Sequence, residues 1–469
     1  MTGGVQGQKV LVAKFGGSIL ADGQGYKVLA DTVESLIGEG YRPIVVVSAM
    51  KGATDTLFRA ASLAQREESV EPLLRDLMER YTSAAHEAVE DREHLAKLLG
   101  EMNTLFTELF KLVWAVRVIG ETAPHVEAMI VSYGEMLSAA LAASVLRSRG
   151  VEARWLHGGA AGLVAAGGSY REAVVDYHES SRRVQERLQP LIENGIVPVV
   201  MGYTAYNRNG QTVLLGRGGS DYTATLLARF TGAWAARLYT DVDGVYTSDP
   251  RRIPEAMHIP RLGLDEAVEL ALLGAKKMHP RTFEPVEGTS LRVSITRPGA
   301  GRETLVMEGV YPPPVKAVVV QEGLTAVHIS GGGLAERVGI MARISRTAAD
   351  AGVNLKAIIQ PPTETRITLI VGREDGPLLA RRLEEDLSTL RVDVDYDHAS
   401  LVSVVGWGLR DATISSKVFK TASSHGGAMG AIWAPGGSII TLISSPANAW
   451  SLAEALHGEV LMEWWRGSQ

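Results

Sequence analysis

Two kinds of apolar pattern alternate along the chain. Residues 9–15 and 43–48 are near-continuous apolar runs, the second carrying Ile44, Val45, Val46 and Val47 in succession. Such runs suit strands covered on both faces, as in a parallel sheet between helices. Between them, residues 26–39 place apolar side chains at helical spacing, and residues 57–119 repeat Leu every three or four positions among polar residues. That longer block predicts several amphipathic helices lying outside the sheet. Further on, the pattern predicts a helix over 132–149, strands over 151–155 and 196–201, a helix over 221–230, and strands over 235–241, 289–296 and 304–307. The alternation predicts an α/β fold with three layers, a sheet between two layers of helices.

Tyr311-Pro312-Pro313-Pro314 reads as a stiff linker and a domain boundary. Beyond it the chain repeats itself. Ile329-Ser330-Gly331-Gly332-Gly333-Leu334 matches Val404-Val405-Gly406-Trp407-Gly408-Leu409, and Ile367-Thr368-Leu369-Ile370 matches Ile440-Thr441-Leu442-Ile443. A period of about 75 residues is too long for a solenoid unit and suits a small α+β domain. The expected organisation is one large domain over 1–305, then two sibling domains over 318–395 and 396–469.

Composition narrows the function. A chain of 469 residues with 46% hydrophobic and 21% charged residues has ample material for more than one core. Its formal charge of −6, with basic residues interspersed among acidic ones, argues against a nucleic-acid partner. No apolar stretch is read as bilayer-spanning, and the start lacks a signal-peptide core, so a cytoplasmic protein without a membrane partner is expected. The absence of cysteine excludes disulfides, thiolate metal sites and cysteine nucleophiles.

Three glycine-rich segments follow strand-like runs: Lys14-Phe15-Gly16-Gly17-Ser18, Gly216-Arg217-Gly218-Gly219-Ser220-Asp221, and Thr240-Asp241-Val242-Asp243-Gly244. Glycine pairs beside Lys, Arg and Ser donors make a concave set of positive dipoles for phosphate oxygens. Gly218, Gly219 and Ser220 precede a predicted helix, whose positive end favours an anion. Locally, each residue keeps a plainer reading. Lys14 is either a phosphate ligand or a surface lysine beside a turn, and Asp221 is either an N-cap or the partner that aims Lys14. Glu135, in Ser132-Tyr133-Gly134-Glu135, sits at the first turn of its predicted helix and either complements the helix dipole or meets a substrate ammonium. His279 reads as a structural histidine, since no second ligand stands at metal-site spacing. Walker, protein-kinase and nucleophile-elbow signatures are missing.

Taken together, these segments resemble the aspartokinases of the amino acid kinase superfamily over nearly the whole chain. Val46-Val47-Ser48-Ala49-Met50, Thr240 to Tyr246 and Gly274-Ala275-Lys276-Lys277-Met278-His279-Pro280 complete six motifs in the family's order. The resemblance implies an amino acid kinase fold followed by two ferredoxin-like (βαββαβ) ACT domains. It implies ATP-dependent phosphorylation of the side-chain carboxylate of L-aspartate, the first step toward lysine, threonine and methionine, with Mg²⁺ carried on ATP and no metal site of the protein's own. In that reading Lys14 stabilises the transferring phosphoryl group and Asp221 orients Lys14. Glu135 meets the substrate ammonium and Arg217 its carboxylate, with Ser48, Thr54, Tyr203 and Ser220 lining the pocket. Gly16, Gly17, Ser18, Gly218 and Gly219 admit the phosphates, while Thr240, Asp241, Tyr246, Arg251 and Lys276 hold the nucleotide.

The tail resembles modules that bind amino-acid end products and join subunits, so a lysine or threonine effector near Val353 and Asn354 is expected, as is a homodimer or a dimer of dimers through these domains, and an exchange of strands between the two copies is compatible with the reading. The second copy has Gly426-Gly427-Ala428 where the first has Asn354. Ser18, Asp55, Tyr203 and Arg337-Val338-Gly339 depart from the residues common in the family. Two other readings are a different carboxylate kinase, such as acetylglutamate kinase, and a non-catalytic amino-acid sensor. The helical block and the ACT pair speak against the first, and joint retention of Lys14, Asp221, Glu135 and Arg217 against the second. Length and the lack of a dinucleotide fingerprint lead us to expect no fused dehydrogenase.

Overall fold

A computed structural model describes residues 9–274, 278–331, 334, 338–363, 365–387, 389–395, 399–434 and 436–466. Among the expected features, Lys276, Gly332, Gly333 and Arg337 lie outside the described residues. The chain divides into two compact units, the first formed by residues 1–245, 260–268 and 277–309, the second by 246–259, 269–276 and 310–469.

In the first unit, β1 (Val10–Phe15), α1 (Gly23–Gly38) and β2 (Arg42–Val47) make a parallel crossover. The helical block follows as α2 (Ala53–Gln65), α3 (Glu71–Ala88) and α4 (Arg92–Ile119), and then comes α5 (Pro124–Ser148). Next are β3 (Ala153–Leu156), a hairpin of β4 (Ala165–Gly168) and β5 (Ala173–Val175), α6 (Tyr177–Glu193) and β6 (Val197–Met201). A second hairpin, β7 (Thr204–Tyr206) and β8 (Thr212–Leu214), leads into α7 (Gly219–Thr231) and β9 (Ala235–Tyr239). The short strands β10 (Val245–Tyr246), β11 (His258–Ile259) and β12 (Arg261–Gly263), helix α8 (Leu264–Leu272), a 3-10 turn at Pro280–Val286, β13 (Arg292–Thr296) and β14 (Thr304–Met307) complete this part of the chain.

The eight-stranded sheet runs β12-β14-β13-β9-β1-β2-β6-β3, parallel from β13 to β3. Alternation along β1 divides its side chains between two layers. Leu11, Ala13 and Phe15 join one core with α1 and the helical block, while Lys14 faces α7 on the other side. The α/β reading and its strands therefore stand, with ends shifted by a few residues.

Two expectations need correction. Helix α5 begins at Pro124, whose fixed φ suits a first turn, so Glu135 lies in mid-helix rather than at the first turn. This same helix is also long and apolar enough to cross a membrane by length and composition, which the sequence reading did not register, but 89% of its apolar window is buried inside the unit. Its apolarity follows from packing against β2, β3 and β6 on one side and α1, α2 and α4 on the other.

The second unit contains two four-stranded antiparallel sheets. In one, β16 (Leu324–Ser330), α9 (Ile340–Asp350), β17 (Ala357–Ile359), β18 (Arg366–Gly372), α10 (Asp375–Asp386) and β19 (Arg391–Asp395) form a contiguous βαββαβ module with strand order β17-β18-β16-β19. The other sheet uses β20 (Ser400–Val405), β21 (Ala428–Trp433) and β22 (Ile439–Ser444), with helices α11 (Ala412–Ser424) and α12 (Pro446–Leu456). Its fourth strand is β15 (Ala317–Gln321), antiparallel to β20, in the order β15-β20-β22-β21. A sequence boundary at 318 therefore misassigns one strand. β15 precedes the first module in the chain but completes the sheet of the second, because after β22 the chain forms α12 and further helical turns rather than a strand.

This topology makes a prediction that the linear order does not. Val318 is fully buried. Val318→Asp should destabilise by roughly 3 kcal/mol, since it buries an unpaired charge. Hydrogen exchange should accelerate in residues 400–405, the paired strand of the other module, before it does in 366–372; the reverse order would contradict the assignment.

Candidate active site

Lys14 is positioned by a register fixed on both sides, opposite Val46 of β2 and Leu238 of β9. Its ammonium lies 2.5 Å from Oδ1 of Asp221, and both side chains are largely withdrawn from solvent. Asp221 is the third residue of α7, whose N-cap is Gly218 at φ 70 with no side-chain cap bond. The carboxylate is thus not the N-cap, and it is engaged by Lys14. Mutual attraction offsets the desolvation of each ion, and removing either partner leaves the other exposed to the full penalty.

The four glycines expected to admit phosphates have identifiable packing constraints. A Cβ on Gly17 would stand 2.7 Å from the Ala49 carbonyl, on Gly218 2.4 Å from Cβ of His279, and on Gly219 2.6 Å from the Tyr203 ring. Only at Gly16 would the added carbon face the cavity chemistry, 3.3 Å from Nζ of Lys14. The glycines let three strand-end loops close on one another, and the cradle around Lys14 is the space this leaves.

Glu135 is 3% exposed. Its Oε1 accepts the Ala49 N–H at 3.3 Å, and its Oε2 is sealed without a partner. Burial pushes its carboxyl up to about 8, against the smaller opposing pull of N–H groups of Ala49 and of Glu135 itself. A buried carboxyl with one unmatched oxygen fits a ligand that brings its own positive charge.

Lys14, Gly17, Ser18, Ser48, Thr54, Glu135, Tyr203, Arg217, Gly218, Gly219, Ser220 and Asp221 share one cavity of about 650 Å³. Gly16 adjoins it, its N–H bonding the Tyr239 carbonyl at 3.3 Å. Arg217 is exposed and has no carboxylate partner among the described residues. Tyr203 adopts φ 67, a left-handed backbone that costs a non-glycine residue about 1 kcal/mol. Thr223 accepts its N–H, and its carbonyl receives Leu215 N–H, so the turn is held from both sides.

Thr240 and Asp241 follow β9, joined by a hydroxyl-to-carboxylate bond of 3.0 Å, but do not line this cavity. Tyr246 and Arg251 belong to the second unit, where Tyr246 meets the His258 ring edge-on and Arg251 forks onto Asp249. Val353 is buried in the core of the first small module, and Asn354 is exposed. Among the described residues no cluster of three or more His, Asp or Glu is arranged for a metal.

Sequence reasoning passed over several residues at this site. Arg281 donates to the carbonyls of Leu215 and Ala173 at 2.5 and 3.2 Å and lies over the Tyr222 ring, bracing the glycine loop. Its signal was its place just after His279-Pro280. His279 accepts the Arg281 N–H through Nδ1 at 3.4 Å, a structural role. Met50, Lys51 and Phe58 also line the cavity; of these only Lys51, with its ammonium, carries a chemical signal.

A model of the amino acid kinase family matches residues 9–297, and an ACT domain model matches 327–387. Among curated relatives, the bifunctional aspartokinase/homoserine dehydrogenase of Haemophilus influenzae is 30% identical over 417 residues, covering 86% of this chain and 50% of that protein. Lysine-sensitive aspartokinase 3 of Escherichia coli is 28% identical, covering 88% of this chain and 90% of the relative. The chain thus spans about half the length of the bifunctional relatives it matches. Among solved structures, E. coli aspartokinase III with lysine and aspartate superposes with a TM-score of 0.83 at 25% identity, covering 96% of this chain and 99% of that one. The same enzyme with aspartate and ADP gives 0.78 at 25% identity, covering 97% and 100%.

The raised Glu135 carboxyl predicts a pH signature in the unliganded protein. Below its ordinary value of 4.5 both folded and unfolded states hold the proton; between there and about 8 only the unfolded chain releases it. Stability contributed by this group is therefore complete at low pH and declines through that window by at most ~1.4 kcal/mol per pH unit. Urea midpoints should show Glu135→Gln gaining on the parent protein from about pH 5 to about pH 8, and parallel curves would refute the assignment.

Proposed function

The chain belongs to the amino acid kinase family, and from that premise we propose that it is an aspartate kinase, transferring the γ-phosphoryl group of ATP to the side-chain carboxylate of L-aspartate and releasing 4-phospho-L-aspartate and ADP. The observation that carries this reading is one cavity holding a Lys14–Asp221 pair, an exposed Arg217 and a buried Glu135 with an unmatched oxygen. Those groups match in chemistry a transferring phosphoryl group, a carboxylate and an ammonium. The E. coli enzyme of closely similar fold binds aspartate and ADP, which supports the same substrates here.

No protein nucleophile is required. An oxygen of the substrate's side-chain carboxylate attacks the γ-phosphorus as the bond to the β–γ bridging oxygen breaks, and ADP leaves with the electron pair. Lys14 neutralises charge on the transferring oxygens and Asp221 keeps its ammonium aimed. Glu135 takes the substrate ammonium, and Arg217 offers a fork to its α-carboxylate. Ser48, Thr54, Tyr203 and Ser220 complete the substrate pocket, and Gly16, Gly17, Ser18, Gly218 and Gly219 let the phosphates approach Lys14. Thr240, Asp241, Tyr246, Arg251 and Lys276 are assigned to the nucleotide by motif. Mg²⁺ arriving with ATP would supply further charge neutralisation.

We assign the reaction to the start of lysine, threonine and methionine synthesis in the cytoplasm. The lysine sensitivity in the name of the E. coli relative favours lysine over threonine as effector, bound at the module containing Val353 and Asn354. Pairing of these modules between subunits would give a homodimer.

An ADP-release assay with Mg-ATP and L-aspartate, L-glutamate or N-acetyl-L-glutamate, with and without added lysine, tests the reading. Turnover on aspartate alone is expected. Lys14→Ala should lower turnover by about a thousandfold while the protein stays folded. Arg217→Ala should raise the aspartate KM by roughly ten- to a hundredfold and the ATP KM far less, the loss of a charge-assisted pair. Equal effects on both substrates would contradict the carboxylate assignment.

A further inference from the structure

The loop between β2 and α2 carries two of the proposed substrate residues, Ser48 and Thr54, and its backbone is held from outside at successive positions. Ala49 N–H donates to Glu135 at 3.3 Å, and Met50 N–H donates to the hydroxyl of Tyr81 at 3.0 Å. The Lys51 carbonyl receives the guanidinium of Arg80 at 2.5 Å. Both Arg80 and Tyr81 belong to α3, in the helical block that the sequence places outside the sheet.

Tyr81 does more than meet the loop. Its hydroxyl donates to the Gly134 carbonyl of α5 at 2.8 Å, one residue before Glu135. A single oxygen therefore ties the loop that bears Ser48 to the turn of α5 that bears Glu135. Ser138 and Tyr26 extend the chain, with Tyr26 donating to Ser138 at 2.9 Å and Ser138 lying 3.1 Å from Tyr81. Tyr81 is fully buried, its ring edge-on to Phe106 of α4. Gly134 lacks the Cβ that would stand 2.8 Å from that of Ala49, so loop and helix close directly on each other.

We infer that Tyr81, assisted by Arg80, is a positioning residue for substrate recognition: α3 sets the distance between the loop bearing Ser48 and Thr54 and the ammonium site at Glu135. The inference rests on the aspartate kinase reading. In it, the helical block supplies the outer support of the aspartate pocket, whereas Thr240 and Asp241, on the nucleotide side after β9, do not line that cavity. A buried hydroxyl that satisfies an amide on one element and a carbonyl on another cannot be removed without freeing both.

Steady-state kinetics and urea melts of the full chain test this with three variants beside the parent protein. Tyr81→Phe keeps the ring and should raise the aspartate KM about tenfold, equivalent to ~1.4 kcal/mol, with the Mg-ATP KM within about twofold. Tyr26→Phe removes an equally buried hydroxyl from the same network but touches neither the loop nor α5 beyond Ser138. It should lower stability comparably and leave the aspartate KM unchanged. Arg80→Ala removes a surface side chain, folds in any case, and should raise the aspartate KM about threefold. An unchanged aspartate KM in Tyr81→Phe, an equal rise in Tyr26→Phe, or a parallel rise in the Mg-ATP KM would overturn the inference. If Tyr81→Phe fails to fold, an unchanged aspartate KM in Arg80→Ala overturns it instead. Failure of the parent protein to turn over aspartate would remove the function reading itself and the inference with it, an outcome recorded before any variant is compared.

Discussion

The Lys14–Asp221 pair is the constraint around which the first unit is arranged. A lysine ammonium so far from solvent is tolerable only beside a fixed opposite charge, and that charge comes from the first turn of a helix far away in sequence. For the two to meet, β1 must be central in the sheet with Lys14 on the face opposite Phe15, and α7 must start where the chain leaves the β8 hairpin through Gly216 and Gly218. Arg281 and His279 hold that exit in place from the 3-10 turn. The pair therefore fixes strand order, helix start and loop closure together.

Around this centre the site is built from backbone as much as from side chains. Glu135 has its unmatched oxygen because α5 is buried on nearly all sides and no cation of the described residues pairs with it, although it lines the cavity. Its carboxyl is raised by that burial, and a ligand ammonium would reverse the effect by supplying the missing charge. The apolar character of α5 and the electrostatic character of Glu135 are two results of one packing decision. The helical block α2 to α4 covers the outer face of that helix, which is why a segment that looks peripheral in the sequence touches the proposed substrate pocket.

Much of this was legible in the chain. Continuous apolar runs gave β1 and β2, and glycine pairs after such runs marked the loops that meet at Lys14. What the sequence obscured follows from tertiary effects. The start of α5 at Pro124 was hidden because residues 124–131 lack a strong amphipathic contrast, Pro124 being exposed and His125, Val126 and Glu127 all half-buried before the mostly buried stretch begins. Tyr81 carried no signal, since its role depends on a hydroxyl reaching two other elements, and spacing within α3 reports only that it faces a core. The glycine pairs suggest room for a ligand, whereas at Gly17, Gly218 and Gly219 protein atoms already occupy the place of a Cβ.

The second unit shows why a repeat in sequence need not equal a repeat in domain boundaries. Pairing is decided by which strand can complete an open edge, and β15 is available to β20 through five antiparallel partners. Only Glu322 and Gly323 separate β15 from β16, so adjacent strands of the chain enter different sheets. Leu324, Ala326 and Ile370 of the first module then pack in one apolar cluster with Ala399 and Leu401 of the second, with Ile443 against it. A contiguous module inserted between the first strand and the remainder of its sibling cannot be removed without breaking that sibling's sheet. The two modules are thus one folding unit with two helix-covered sheets, and any ligand that alters the β16 side of the turn acts on a strand covalently committed to the other sheet.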